Sequence, residues 1–125
     1  MIYSKLKYYS EKNPKKIAVI HNNKFFSYSD LWSDINLISY WICKNLNASD
    51  KVAIMLDNSY GNIISIYGTV LGEGVIIPLD SDMGQKNIKY ILTDASVSLI
   101  VTEKKYRNKI EQINSATQKI EIKII

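Results

Sequence analysis

The sequence predicts an α/β fold. A parallel β-sheet with helices on both faces runs β-α-β-α-β-α-β from residue 52, preceded by an N-terminal helix, a β-hairpin and a long helix. Three observations carry this. The wholly apolar run Val52-Ala53-Ile54-Met55-Leu56 is typical of a strand covered on both faces. Such runs alternate with stretches whose apolar residues recur at helical spacing, and that alternation builds parallel sheets through crossover helices. The stretch from Gly68 to Asp82 shows the joints: a helix end, glycines at 72 and 74, the strand Val75-Ile76-Ile77, then Pro78, which cannot donate to a ladder and stops it.

In chain order, Ile2, Leu6 and Tyr9 recur at helical spacing, and Asn13-Pro14 ends that segment, predicting a short amphipathic helix over 2–12. Ile17 to Ile20 and Phe25-Phe26 flank an Asn22-Asn23 turn, the signature of a β-hairpin. Ser27-Tyr28-Ser29-Asp30 has the spacing of a capping box. Leu31, Ile35, Ile38, Ile42 and Leu46 then hold one face of a long helix ending near Asn45 to Asn47. Trp32, Tyr40 and Trp41 flank that stripe as core and rim. After the strand at 52–56, Asp57-Asn58-Ser59 caps a helix carrying Ile63, Ile64, Tyr67, Val70 and Leu71. Gly72 and Gly74 close it, with a positive φ expected there. Ser81 or Asp82 is expected to cap a helix with Ile88, Ile91 and Leu92. Ser98 to Val101 is a strand, Tyr106, Ile110 and Ile113 mark a helix, and Ile120 to Ile125 is the last strand.

At 125 residues and 46% hydrophobic, the chain suits one globular domain over 1–125 with one core, and argues against disorder. The net charge of +4 is unevenly spread. Lys5, Lys7, Lys12, Lys15, Lys16 and Lys24 crowd the start; Lys104, Lys105, Arg107, Lys109, Lys119 and Lys123 crowd the end; the middle is acidic. With a single arginine, the preferred phosphate fork, this reads as a solvated lysine-rich surface and not a nucleic-acid site. The tyrosines are not interleaved with the basic residues as a single-strand binding platform requires. One cysteine, Cys43, permits no intrachain disulfide, and its apolar neighbours suggest a buried thiol. The start is too polar for a signal-peptide core, and the uncharged run from Asn58 to Gly72 is too short to span a bilayer, so a soluble, cytoplasmic protein without a membrane partner is expected.

No complete catalytic constellation emerges. Gly72-Glu73-Gly74 precedes its strand, whereas a dinucleotide fingerprint follows one so that the helix N-terminus meets the pyrophosphate. His21 is the only histidine and sits at the hairpin turn, which removes a Ser/His/Asp set and a zinc cluster. Asp80 and Asp82 have the chemistry for a hard cation, but acids between a strand and a helix usually serve as caps.

Read together, five stretches resemble the start of the adenylate-forming superfamily: acyl-CoA synthetases, adenylation domains of nonribosomal peptide synthetases, and D-alanine–carrier protein ligases. Asn13-Pro14 through Val19 is similar to its opening. Phe26-Ser27-Tyr28-Ser29-Asp30-Leu31 resembles its first core motif, and Asp50 to Ile54 with Asp57-Asn58-Ser59 its next strand and cap. Gly68 to Asp80, ending Ile77-Pro78-Leu79-Asp80, resembles the second core motif, and Ile91 to Asp94 with Leu99 to Thr102 the stretch after it. Tyr28, Leu31, Pro78 and Asp80 match at identity, which a merely periodic likeness, such as that of an independent flavodoxin-like domain, does not require. Glu73 departs from the pattern, standing where the family usually has glycine; the expectation is a turn shifted onto Gly72 and Gly74.

The resemblance implies the N-terminal part of an ATP-dependent carboxylate-activating ligase. The family's phosphate loop, adenine-site aromatic, ribose-binding acid, hinge and catalytic lysine have no counterparts in this sequence, so it implies no catalytic, cofactor-binding or metal residue here. ATP and magnesium belong to a completed enzyme, and this chain alone is expected to be inactive. The partner is then a second chain carrying the rest of the ligase, or a homodimer. The alternative is a non-catalytic stand-alone interaction or scaffold domain, self-associating or not.

Overall fold

The computed structural model describes residues 2–115 and 120–125; Lys119, one of the C-terminal cations, lies outside them. Helix α1 (Ser4–Lys12) leads into the strands β1 (Ile17–His21) and β2 (Lys24–Ser27). These pair antiparallel around Asn22 and Asn23, both with positive φ, the geometry that a two-residue hairpin turn demands and that asparagine tolerates. The capping box forms: Ser27 Oγ accepts from Asp30 N at 3.0 Å and Ser27 N donates to Asp30 Oδ2 at 2.9 Å. It starts α2 (Tyr28–Asn45), which buries Leu31, Ile35, Ser39 and Ile42. Those positions lie three or four apart, one face of a helix. The next position round the turn points outward, so Cys43 is exposed and not buried as its neighbours suggested. Its Sγ lies 3.6 Å from the Gly72 carbonyl oxygen.

From here the expected alternation holds: β3 (Lys51–Met55), α3 (Tyr60–Leu71), β4 (Val75–Pro78), α4 (Gln85–Asp94), β5 (Leu99–Thr102), a 3-10 turn at Lys104–Tyr106, α5 (Arg107–Ser115) and β6 (Glu121–Ile124). The four strands form one parallel sheet in the order β4-β3-β5-β6. Strand pleating sends alternate residues to opposite faces, and two apolar clusters result. Ala53, Met55 and Ile100 pack with Ile88 and Leu92 of α4 and Ile110 and Ile113 of α5. Val52, Ile54, Leu99 and Val101 pack under Ile42 of α2 and Ile66 of α3. A third cluster joins the hairpin to the outer side of α2 and α3 around Leu31, Ile35 and Tyr60. There Tyr60 stacks on Phe26 with ring centroids 3.6 Å apart and its hydroxyl donates to Asp34 Oδ2 at 2.6 Å. Burial, then that bond to an acid, pushes the Tyr60 hydroxyl well above its ordinary pKa.

Two expectations at helix ends are corrected. The positive φ after α3 belongs to Glu73, at 67°, and to no glycine. The turn is not shifted: Glu73 N bonds the Val70 carbonyl and Gly74 N the Thr69 carbonyl, so the chain reverses at Glu73 itself. The flanking glycines serve close approach. A Cβ on Gly68 would sit 2.5 Å from Cβ and Cγ2 of Ile38, and one on Gly72 would sit 2.8 Å from the same atoms of Ile42 and 3.0 Å from the Ser39 carbonyl oxygen. Residues 68 and 72 are one helical turn apart, so together they form the smooth strip against which α2 lies. The second correction concerns α4. Neither Ser81 nor Asp82 caps it; its N-cap is Gly84, with no side-chain cap.

Helix propensity favours alanine over glycine by about 1 kcal/mol, but overpacking costs ~1–3 kcal/mol. Gly68→Ala is therefore expected to lower the urea midpoint despite the better helix former. By contrast, Glu73→Gly should raise stability by about 0.5–1 kcal/mol, the relief of left-handed backbone strain less the added chain entropy.

Candidate functional site

Open parallel sheets present their ligand crevice at the carboxyl ends of the strands, where neighbouring connections depart to opposite faces. Here that point lies between β3 and β5. The chain after β3 climbs to α3 on one face, and the chain after β5 turns to α5 on the other. The crevice is spanned by the chain's own side chains. Asp57 pairs with Lys105 Nζ through Oδ2 and accepts from the Tyr106 hydroxyl at 2.5 Å through Oδ1. Its backbone N donates to Glu103 Oε2 at 3.1 Å, while Glu103 Oε1 lies 3.5 Å from Lys105 Nζ. Beneath this, the buried Thr102 hydroxyl donates to the Met55 carbonyl at 2.8 Å. The Lys105 and Tyr106 donors hold the Asp57 carboxyl below the usual carboxylate range. The same pairing, led by the hydrogen bond that Lys105 donates to Asp57, raises Lys105 above its ordinary value.

Beside the crevice, at the ends of β3 and β4, lies an open cleft of ≈ 540 Å³, lined by Ile54, Ile66 and Ile76, by Asn58 and Asn62 at the start of α3, and by Leu79, Asp80, Ser81 and Met83. Asp80 and Asp82 do not converge on it as a ligand pair: Asp80 Oδ1 accepts from the backbone N of Asp82 at 2.9 Å. Among the described residues no group of three or more His, Cys, Asp or Glu comes together as a metal site. His21 pairs with Lys24 at the hairpin turn and has no acid or nucleophile against it among the hydrogen bonds of the described residues. No helix among them is long and apolar enough to cross a membrane.

Chemically, the spanned crevice is a clasp with two carboxylates and one ammonium. That excess of negative charge is a poor setting for a polyphosphate, which needs convergent donors and cations. Sequence reasoning read Asp57 only as part of a cap and missed its partners. They lie 46 to 49 residues away, and only the strand order brings the two segments together. Parallel pairing of β3 with β5 was the signal that could have found them.

The family model for AMP-binding enzymes matches residues 6–125. Among curated proteins, the chain is 30% identical over 103 residues to bacitracin synthase 2 of Bacillus licheniformis, covering 82% of this chain and 4% of that protein. It is 31% identical over 90 residues to a long-chain-fatty-acid–CoA ligase of Bacillus subtilis (strain 168), covering 71% of this chain and 16% of the ligase. Among solved structures, the anthranilate CoA ligase AuaEII in complex with anthranoyl-AMP superposes with a TM-score of 0.87 at 16% identity, over 96% of this chain and 24% of that one. Apo MatB from Rhodopseudomonas palustris gives 0.78 at 22% identity, over 90% and 23%.

The clasp predicts a pH dependence. Because the Asp57 carboxyl is lowered in the fold, its contribution is fully present above the ordinary carboxylate value and is lost as pH falls through the folded one. Urea midpoints of the protein and of Asp57→Asn should differ by a constant amount above about pH 5 and converge as pH drops below about 4. A constant gap down to pH 2 would show that Asp57 acts by packing alone.

Proposed function

The chain belongs to the AMP-binding enzyme family, and from that premise we propose that it is the N-terminal scaffold part of an ATP-dependent carboxylate-activating ligase whose nucleotide site is supplied by a second chain. The observation that carries this reading is the family match over residues 6–125 beside a crevice closed by the chain's own acidic clasp, which gathers no set of cations for a polyphosphate; the chain spans 4% and 16% of the length of the two curated relatives. Activating a carboxylate with ATP calls for magnesium and positioned donors around the transferring adenylyl group. The acidic clasp is unsuited to that task, so ATP and magnesium are assigned to the completed enzyme and to groups on the partner. What this chain contributes is a rigid sheet, braced at its carboxyl ends, on which such a site is built.

The test is co-purification with larger chains encoded nearby, followed by ATP–pyrophosphate exchange over a panel of carboxylic and amino acids. Exchange that appears only when both chains are present is the expected result. Exchange by this chain alone would overturn the reading. Absence of both binding and exchange would instead leave the chain as a stand-alone interaction domain.

A further inference from the structure

The segment between β4 and α4 is not held by the helix it enters. Gly84, at the N-cap of α4, has no side chain with which to cap the first turn. The segment first closes on itself: Asp82 N donates to Asp80 Oδ1 at 2.9 Å and Met83 N to the Asp80 carbonyl at 3.1 Å. Two carbonyls of this turn, those of Ser81 and Met83, are then taken by a single donor from another element. Nζ of Lys109, on α5, reaches them at 2.7 and 2.8 Å. Gln85 Nε2 and Gln112 Oε1, 3.3 Å apart, add a second tie between the same two elements. At its other end the segment is fixed to the sheet, where Leu79 N donates to the Ile54 carbonyl at 2.9 Å and the Leu79 side chain is buried. Between these anchors, Asp80, Ser81 and Met83 line one side of the cleft at the ends of β3 and β4.

We propose that Lys109 is a latch: a positioning residue whose ammonium bridges the Ser81 and Met83 carbonyls and holds segment 80–84 as the cleft wall, so that loss of its charge opens the wall while the sheet stays folded. The geometry favours a latch over general stabilisation. Bonds from a charged donor are about twice as strong as neutral ones, and here both converge on a five-residue turn that lacks a helix cap. The strands below are held by ladders and by buried apolar contacts that Lys109 does not join. Local opening is governed by the bonds of the unit that opens, not by global stability. The latch does not depend on a complementing chain.

Native-state hydrogen exchange on the full chain tests this with Lys109→Met, which keeps the stem and removes the ammonium, and Lys109→Arg, which restores a cation. In Lys109→Met the amides of Asp82 and Met83 should exchange faster by about tenfold or more, with those of Ile54 and Val101 changed less than about twofold. Lys109→Arg should recover most of the lost protection. Unchanged exchange at 82 and 83 would overturn the proposal. So would an increase shared equally by β3 and β5, or failure of the methionine variant to fold, since either makes Lys109 a general support and not a latch.

Discussion

The close approach of α2 to α3 is the constraint on which the rest of the molecule depends. At Gly68 and Gly72 the surface of α3 has no side chain, and Ile38 and Ile42 of α2 occupy the space that a Cβ would take. That contact places α2 over β3 and β5, where Ile42 closes the cluster around Val52, Ile54, Leu99 and Val101. It also leaves Leu31 and Ile35 in place to receive the hairpin on the outer side. Were the helices to separate by the width of a methyl group, both clusters would lose contacts at once, because close-packed interiors do not stretch. The buried Ser65 and Thr69 of the same helix extend the small-residue strip. Ser65 meets its polar requirement within the helix by donating to the Gly61 carbonyl at 2.6 Å, as small hydroxyl residues can. The Thr69 hydroxyl has no partner among the described residues, a cost consistent with its position being chosen for size.

With one face fixed by that helix pair and the other by α4 and α5, the loops at the carboxyl ends of the strands still diverge. Apolar contacts end where the strands end, and here polar groups take over. The clasp at Asp57 joins the loops of β3 and β5; Lys109 joins the loop of β4 to α5. Neither is deep enough in the protein to rival the core in energy, since exposed ion pairs contribute little. Their effect is positional: they decide how three adjacent loops sit relative to one another above a sheet whose strands already agree.

Much of this was legible in the sequence. The element order, the capping box at Ser27 and Asp30, and the two-sided burial of β3 follow from local patterning, since each depends on residues within one turn or one strand. What was not legible depended on distance or on a choice between equivalent chemistries. Gly72 and Gly74 looked like a turn because glycine is the usual answer to positive φ, whereas the strip at 68 and 72 exists only once α2 is placed beside it. Glu73 accepts the left-handed turn that family likeness assigns to glycine. Ser81 and Asp82 are both good caps by composition, yet Asp80 captures Asp82 first and delays the helix to Gln85. Cys43 lies among apolar neighbours in sequence but one step off the buried face. The family likeness, carried by Tyr28, Leu31, Pro78 and Asp80, was readable because those residues sit at element junctions whose spacing the fold preserves.

The two margins of the sheet are not equivalent, and the difference bears on how such a scaffold joins anything else. Among the described strands, β4 and β6 each pair on one side only. β4 ends in Pro78, which has no N–H to offer, and Pro at an edge discourages further pairing. β6 has no proline. Its Ile122 packs into the cluster under α4 and α5, while Lys123 places its ammonium 5.0 Å from the Trp41 ring on the opposite face. A lysine on an edge strand is one of the usual guards against unwanted pairing, but the ammonium of this one is drawn back over Trp41 of α2. The hairpin adds apolar surface of its own, with Ile20 and Phe25 opposite each other and 64% and 63% exposed. Exposed apolar pairs and open strand edges are the surfaces that invite pairing with other chains. The braced carboxyl ends and the β6 margin are therefore two different regions of one sheet: polar side chains of the chain itself close the first, and the second pairs on one side only among the described strands.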